Sequence, residues 1–267
     1  MLNSRRQWSQ TWNTYLNPVH NSGQCAEDVV EGARTCAHNS TWGLTMTSEL
    51  ADPLRATDDD LQDTVEGYQR FRAQFEKDKA FYIALAAKKQ RPRMLWVGCC
   101  DSRVVPSQIT SAEPGELFEV RNIANCVPPA GSDDDSVGAA IEYALGHLGI
   151  DDIVVCGHTG CGGLQALSEP IPPDREAHLG RWVEYTRPAH NLIRAARVPE
   201  AERMMETIKA HVQFQLDNLK TYPAVSEGLA AGKLAIHGWI YNIERGEVLA
   251  CDPDLGEWRD LIELVSD

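Results

Sequence analysis

Long apolar runs are what this 267-residue sequence lacks first. No stretch approaches the ~20 consecutive apolar residues that a membrane-spanning helix needs, because Gly, Asp or Arg interrupts each run. Basic charge is scarce too. The chain carries 25 Lys and Arg against 39 Asp and Glu, a net charge of −14. Nucleic acid calls for clustered Lys and Arg, so that class of partner is excluded. The acidic balance says little more than that the protein is soluble. A secretory leader is not evident, since Gln7-Trp8-Ser9-Gln10 follows Arg5 and Arg6 where an apolar segment would stand. Eight cysteines (Cys25, Cys36, Cys99, Cys100, Cys126, Cys156, Cys161 and Cys251) are too few for a disulfide scaffold of this length. A cytoplasmic, reducing setting is expected. A mitochondrial one is the alternative, because the first 26 residues hold Arg5 and Arg6 and no acid. In a reducing compartment cysteines more often serve metal or catalysis.

The apolar fraction of 43% and the length suit one sizeable domain with a full core. Residues 1–50 are rich in Asn, Ser, Thr and Gln without a period and read as a poorly ordered extension, leaving 51–267 as the folded domain. A helical pattern runs from Asp60 to Lys89, with Phe71, Phe75, Ala80 and Leu85 among charges. Short apolar runs at Met94–Gly98, Leu117–Val120 and Ile153–Cys156 have the form of buried strands. Between the last two, Ser136–Leu148 reads as a helix with Asp133, Asp134 and Asp135 at its favourable N-terminal end. Residues 174–222 read as helices broken at Pro188 and Pro199. A strand over Lys233–Ile243, a turn at Glu244-Arg245-Gly246 and a strand through Cys251 follow, and Glu257–Val265 reads as a closing helix. Strand and helix alternate, which predicts an α/β fold with a mainly parallel core sheet flanked by helices.

Two segments carry chemistry. Cys99-Cys100-Asp101-Ser102-Arg103 follows the first predicted strand directly, and Gly157-His158-Thr159-Gly160-Cys161-Gly162-Gly163 follows the third. Ligands of open parallel sheets bind at the carboxyl ends of strands, so both segments belong on one edge. Two thiolates and an imidazole suit zinc. A structural zinc takes four Cys or His ligands, whereas a catalytic zinc keeps three and leaves the fourth position for water. Cys99, His158 and Cys161 make three. Taken singly, each segment equally fits buried cysteines or a glycine-rich turn. The second could cradle a phosphate, but it lacks a Gly-Lys-Ser/Thr ending. Asp101 and Arg103 are two residues apart and can flank one point.

These residues resemble the β-class carbonic anhydrases from about Gln90 to Asp252. The likeness rests on Cys99-x-Asp101-x-Arg103 and His158-x-x-Cys161. It extends through Pro114–Phe118, Arg121–Asn125, Gly138–Ala144 and His237-Gly238-Trp239. Cys100 and Cys126 depart from the usual pattern, and Cys100 is expected to be a small buried side chain. His237 and Trp239 are expected to pack rather than react.

The resemblance implies zinc and the reversible hydration of carbon dioxide to bicarbonate. It implies a homodimer or tetramer in which an N-terminal helical arm grips the neighbour. It makes Asp101 and Arg103 a dyad: Asp101 orients the zinc-bound hydroxide, and Arg103 keeps Asp101 off the metal, where in a closed state Asp101 would be a fourth ligand. It assigns the substrate lining to Gln90, Phe118, Ile123, Tyr143 and the Gly162 backbone N–H, with part of that lining crossing the dimer interface. It also offers a regulatory bicarbonate pocket at Trp96, Arg121 and Tyr241, three groups with donors suited to a small planar anion. Two thiolates cancel the charge of the metal, so activity is expected to rise toward alkaline pH. Three other readings fit the same residues. One is hydrolysis of carbonyl sulfide or carbon disulfide on the same zinc. Another is a non-catalytic zinc module closed by Asp101. The third is a thiol sensor using Cys99 and Cys100, although neighbouring cysteines pair poorly.

Overall fold

A computed structural model describes residues 58–168, 171–253 and 255–266. The expected extension at 1–50 lies outside them. The chain divides into two compact units, residues 1–66 and 67–267. The described part of the first is the opening turns of helix α1 (Asp58–Lys77). Helix α2 (Lys79–Ala86) comes next. The single helix expected over Asp60–Lys89 is thus two helices parted at Asp78, whose ψ of 18° is non-helical, and residues 88–93 lie outside any helix. Aspartate favours helix ends over interiors, because its short side chain competes for backbone donors. Tyr82 folds back over the joint, with its ring 4.9 Å from that of Phe75 and 6.0 Å from that of Phe71.

Strand β1 (Met94–Cys99), the short helix α3 (Pro106–Ile109), β2 (Leu117–Asn122), α4 (Asp135–Tyr143) and β3 (Asp152–His158) follow. The side chain of Asp134 caps α4 by accepting from the Val137 N–H at 3.3 Å. A π-turn (Ala144–Leu148) then carries the chain to Gly149, so the predicted helix and its acidic start are both present. Beyond β3 lie α5 (Gly162–Gln165), α6 (Ala177–Val183), α7 (Arg187–Ala195), α8 (Glu200–Leu219) and α9 (Pro223–Ala230). Pro188 falls in the first turn of α7 and Pro199 caps α8. At those positions a missing N–H costs nothing. Strands β4 (Ala235–Asn242), β5 (Glu247–Cys251) and β6 (Trp258–Asp260) and helix α10 (Leu261–Ser266) complete the chain.

The six strands form one sheet in the order β2-β1-β3-β4-β5-β6. The first four in that order are parallel, and β5 and β6 are antiparallel. The closing helix expected over Glu257–Val265 is therefore corrected: its first part is an edge strand, and the helix begins only at Leu261. Trp258 packs against the core while its backbone pairs with Cys251, and the Asp260 carboxylate accepts the Ile262 N–H at 2.8 Å to start the helix. A free sheet edge and an anchored Trp outweigh the helical pattern of so short a segment.

Side chains alternate across the parallel strands. Leu95, Val97, Ile153 and Val155 join the main core on one face, whereas Trp96, Val154 and Cys156 pack on the other. Helix α8 covers the main face with Ile208, Val212, Leu216 and Leu219, an apolar stripe at helical spacing. Two strand glycines let it come close. A Cβ at Gly157 would lie 3.0 Å from Ile208 and Val212, and one at Gly238 would lie 3.0 Å from Leu216 and Val212.

Candidate metal centre

The parallel register aligns Gly98 with Cys156, so β1 and β3 end at the same edge of the sheet. Cys99 closes β1 and His158 closes β3, and one tight turn later Cys161 leads into α5. All three are buried, and one ligand atom from each lies within 4.8 Å of the others. The carboxyl-edge placement expected of the two motifs is what the fold produces.

The imidazole is set up as a ligand. Its Nδ1 lies 3.0 Å from the Thr159 carbonyl, which can only accept, so Nδ1 carries the proton. Nε2 is then a bare lone pair, fully buried and without a hydrogen-bond partner. An orphaned buried acceptor between two thiols fits a cation. The thiols fit it as well. The Cys99 thiol is pushed down, first by a hydrogen bond from Cys161 and then, against burial, by the backbone N–H groups of Asp101 and Ala124. Cys161 is pushed up by that same bond, by burial and by the Cys99 charge, while the N–H groups of Leu164 and Gly163 oppose this. The first ionisation of the pair is easy and the second is not, because the sulfurs then face each other as like charges in a dry site. A dication held by both thiolates and Nε2 removes that repulsion.

Asp101 is turned toward Arg103. Its Oδ1 accepts from Arg103 Nε at 2.9 Å and from the Arg103 backbone N–H at 3.0 Å, and its Oδ2 accepts from Nη2 at 2.7 Å. Arg103 Nη2 also reaches the Gly160 carbonyl at 3.1 Å, which ties the first motif to the second. These bonds, first of all the guanidinium ones, hold the Asp101 carboxyl well below the usual carboxylate range. Its Oδ2 lies 3.9 Å from His158 Nε2, at the rim of the cluster. Cys100, expected to be buried, instead faces solvent. It follows the last pleat of β1, so its side chain points away from the ligand face.

Arg121 donates through Nε to Cys99 O at 3.0 Å, and through Nη2 to Asp101 O at 2.9 Å and Val104 O at 2.6 Å. Trp96 is fully buried edge-on to Trp239 at 5.7 Å, Tyr241 packs on the same cluster, and Trp96 Nε1 has no partner. His237 Nε2 lies 2.7 Å from Asp152 Oδ1, in a half-exposed pair at the start of β3.

The remaining sequence candidates divide. Ile123 and Gly162 lie beside the cluster. A Cβ on Gly163 would stand 2.7 Å from Ile123 and 2.9 Å from the Ala124 side chain, so only glycine lets α5 approach that turn. Phe118, Tyr143 and Gln90 lie elsewhere in the same chain. Phe118 pairs with Leu95, four residues before Cys99 and about 13 Å back along the strand. Tyr143 lies over Phe118 at 5.9 Å. Gln90 sits in a cleft with Phe81, Leu85 and Glu113–Glu116, before β1 begins. One chain does not unite these three with the ligands. Sequence reading missed Ala124, because a backbone N–H leaves no motif. It also missed His211, whose only sign is a polar residue on the apolar stripe of α8.

The comparisons agree with this geometry. The family model described as carbonic anhydrase matches residues 94–248, more than half of the chain. The chain is 37% identical to carbonic anhydrase of Pseudomonas aeruginosa over 193 residues, 72% of this chain and 88% of that protein. It is 40% identical to carbonic anhydrase of Synechocystis over 200 residues, 72% and 71% of the two. Among solved structures, the β-carbonic anhydrase CcaA aligns with a TM-score of 0.70 and 37% identity, over 75% of this chain and 98% of that one. A tetrameric β-carbonic anhydrase of Sordaria macrospora aligns at 0.64 and 28% identity, over 76% and 100%. With its three ligand groups on one sheet edge and its match to the family running from β1 into β5, the chain belongs to the β-class carbonic anhydrases.

Proposed function

We propose that this enzyme interconverts carbon dioxide and bicarbonate on a zinc ion held by Cys99 Sγ, His158 Nε2 and Cys161 Sγ. The observation that carries the reading is the orphaned His158 Nε2 facing two buried thiols. Zinc, when bound, would supply the Lewis acid that makes water a nucleophile. The protein's own residues do the rest. Asp101 Oδ2 accepts a hydrogen bond from the attacking water and turns its lone pair toward the carbon. Arg103 holds the carboxylate in that orientation by two charge-assisted bonds and away from the metal. The engagement of Asp101 by Arg103 favours this over a zinc module that Asp101 closes.

The substrate is apolar and needs an apolar wall. Ile123 supplies part of it, and the Gly162 N–H bonds a bicarbonate oxygen. Gln90, Phe118 and Tyr143 serve the site of a second copy of the chain, in a dimer or a tetramer, with the N-terminal helical arm gripping the partner. The exposure of Phe71, Phe81, Ile83 and Tyr143 supports such an assembly. Bicarbonate also occupies a regulatory pocket at Trp96, Arg121 and Tyr241, a reading supported by the buried, unpartnered Trp96 Nε1. To reach Arg121 the anion has to compete with the Cys99, Asp101 and Val104 carbonyls, which ties its binding to movement of the Asp101 loop. The enzyme works in the cytoplasm.

Zinc content and stopped-flow hydration of carbon dioxide, measured on the parent and on Cys99→Ser, test the proposal. The parent is expected to hold one zinc per chain and to speed up toward alkaline pH, and the variant to lose both metal and rate. A zinc-loaded parent inert toward carbon dioxide would return the reading to carbonyl sulfide, carbon disulfide or a structural metal.

A further inference from the structure

The connection after β2 is held almost group by group. Asn122 closes a ring with Cys126, accepting its N–H at 2.7 Å and donating to its carbonyl at 2.8 Å. The Val127 N–H donates to Gln215 Oε1 at 2.7 Å, Asn218 Nδ2 donates to the Val127 carbonyl at 2.8 Å, and the Tyr222 hydroxyl donates to the Pro128 carbonyl at 2.7 Å. At the apex, Ala124 and Asn125 have φ values of 61° and 46°. Two successive left-handed residues with side chains persist only where the surroundings over-determine them.

The peptide groups flanking Ala124 are each pinned by one side chain. Trp182 Nε1 donates to the Ile123 carbonyl at 2.8 Å, and His211 Nε2 lies 2.7 Å from the Ala124 carbonyl. The donor assignment at His211 is forced. Val127 N–H needs an acceptor, which fixes Gln215 Oε1 on that side and turns Gln215 Nε2 toward His211 Nδ1 at 3.3 Å. Nδ1 therefore accepts, and Nε2 carries the proton that binds Ala124 O. The turn sits at the ligand edge of the sheet: Asn122, just before it, pairs with Cys99, and a Cβ at Gly163, two residues after Cys161, would stand 2.7 Å from Ile123 and 2.9 Å from the Ala124 side chain.

We infer that His211, with Trp182, is a positioning residue for the metal ligands Cys99 and Cys161: the two side chains fix the left-handed turn that packs against the end of β1 and the start of α5. The inference rests on the reading of Cys99 and Cys161 as zinc ligands. His211 touches neither metal ligand nor substrate. It acts through the backbone, as outer-shell partners of metal sites do, and loss of such a partner typically lowers metal affinity about 10–100-fold.

Zinc affinity of the stripped full chain, read by competition with a chromophoric chelator, tests it. His211→Leu removes the donor and is expected to weaken zinc binding about tenfold or more while the circular dichroism stays that of the parent. Trp182→Phe keeps the ring, removes the N–H, and is expected to weaken zinc in the same direction. His211→Gln brings an amide N–H close to the place of Nε2 and is expected to bind zinc like the parent. With Co2+ as probe, the sulfur-to-metal charge-transfer band is expected to shift in His211→Leu, because the ligand sulfurs lose their fixed placement against the turn. Parent-like affinity in both His211→Leu and Trp182→Phe, or a loss in His211→Gln as large as in His211→Leu, would overturn the inference. Should His211→Leu not fold, Trp182→Phe and His211→Gln decide it on the same readouts. A parent that binds no zinc sinks both this inference and the function proposed above. A parent that binds zinc but leaves carbon dioxide untouched counts against the function alone.

Discussion

The two edges of the sheet differ in how much of the site they finish. At the carboxyl edge, Cys99, His158 and Cys161 come together within a single chain, buried and with their hydrogen bonds arranged toward one point. At the amino edge, Phe118, Tyr143 and Gln90 gather on β2, α4 and the approach to β1, with Tyr143 44% exposed. Here one chain brings all three ligand groups together, and the same chain supplies the hydrogen bonds that orient them. An apolar substrate wall needs no such bonds and can be supplied by a neighbour.

The sharpest way to break the comparison is to disable the carboxyl edge without touching its ligands. Asp101→Asn keeps the shape but weakens the acceptor. Zinc content should stay at the parent level while turnover falls by roughly 10²–10³-fold, the scale set by losing one oriented polar group in a catalytic site. Equal stopped-flow rates for Asp101→Asn and parent would remove Asp101 from the reaction.

A second experiment asks whether the edges belong to different subunits in function. Cys161→Ala removes a proposed metal ligand, and Gln90→Ala removes the proposed substrate donor. If the amino edge of one copy serves the carboxyl edge of another, mixed dimers contain one site with both parts intact. Refolding the two variants together should then restore a large part of the missing activity, about half of the sites in each mixed dimer by the symmetry of a two-fold pair. Activity of the mixture that merely averages the two variants would place both edges in service of one chain.

The smallest expected effect concerns the ground behind the carboxyl edge. Burial holds His211 neutral, with its pKa lowered from 6.5 to about 4. Above pH 6.5 the folded and unfolded states carry the same charge there. As pH falls, the unfolded chain takes up a proton that the folded one refuses. Stability therefore declines between about pH 6.5 and 4, by about 3 kcal/mol in all. His211→Gln should flatten this part of the curve in urea melts compared across that range. An unchanged pH slope in the variant would show that other groups govern acid unfolding.

Legibility in the sequence followed the range of the interactions involved. Met94–Gly98, Leu117–Val120 and Ile153–Cys156 were readable as strands because a strand buried on both faces needs an unbroken apolar run. The helix over Asp60–Lys89 was readable only in part, since the break at Asp78 is settled by Tyr82 folding back onto Phe71 and Phe75. Trp258–Asp260 read as a helix because the open edge of β5 that recruits it is invisible in so short a segment. Cys100 read as buried because nothing local says which way the chain turns after the last pleat of β1.

By itself the sequence determined the chemistry of the carboxyl edge: which three side chains offer sulfur and nitrogen, that each follows a strand, and that Asp101 and Arg103 stand beside the first. Those facts are set by residue type and by spacings of a few positions, where covalent geometry leaves little freedom. Only the tertiary structure decided that His158 presents Nε2 rather than Nδ1, that Arg121 spends its donors on the Cys99, Asp101 and Val104 carbonyls, and that His211, 87 residues away, holds the turn at Ala124. The physical reason is that a buried polar group takes whichever partner the packed chain brings within hydrogen-bond reach, and across such separations packing alone chooses the partner.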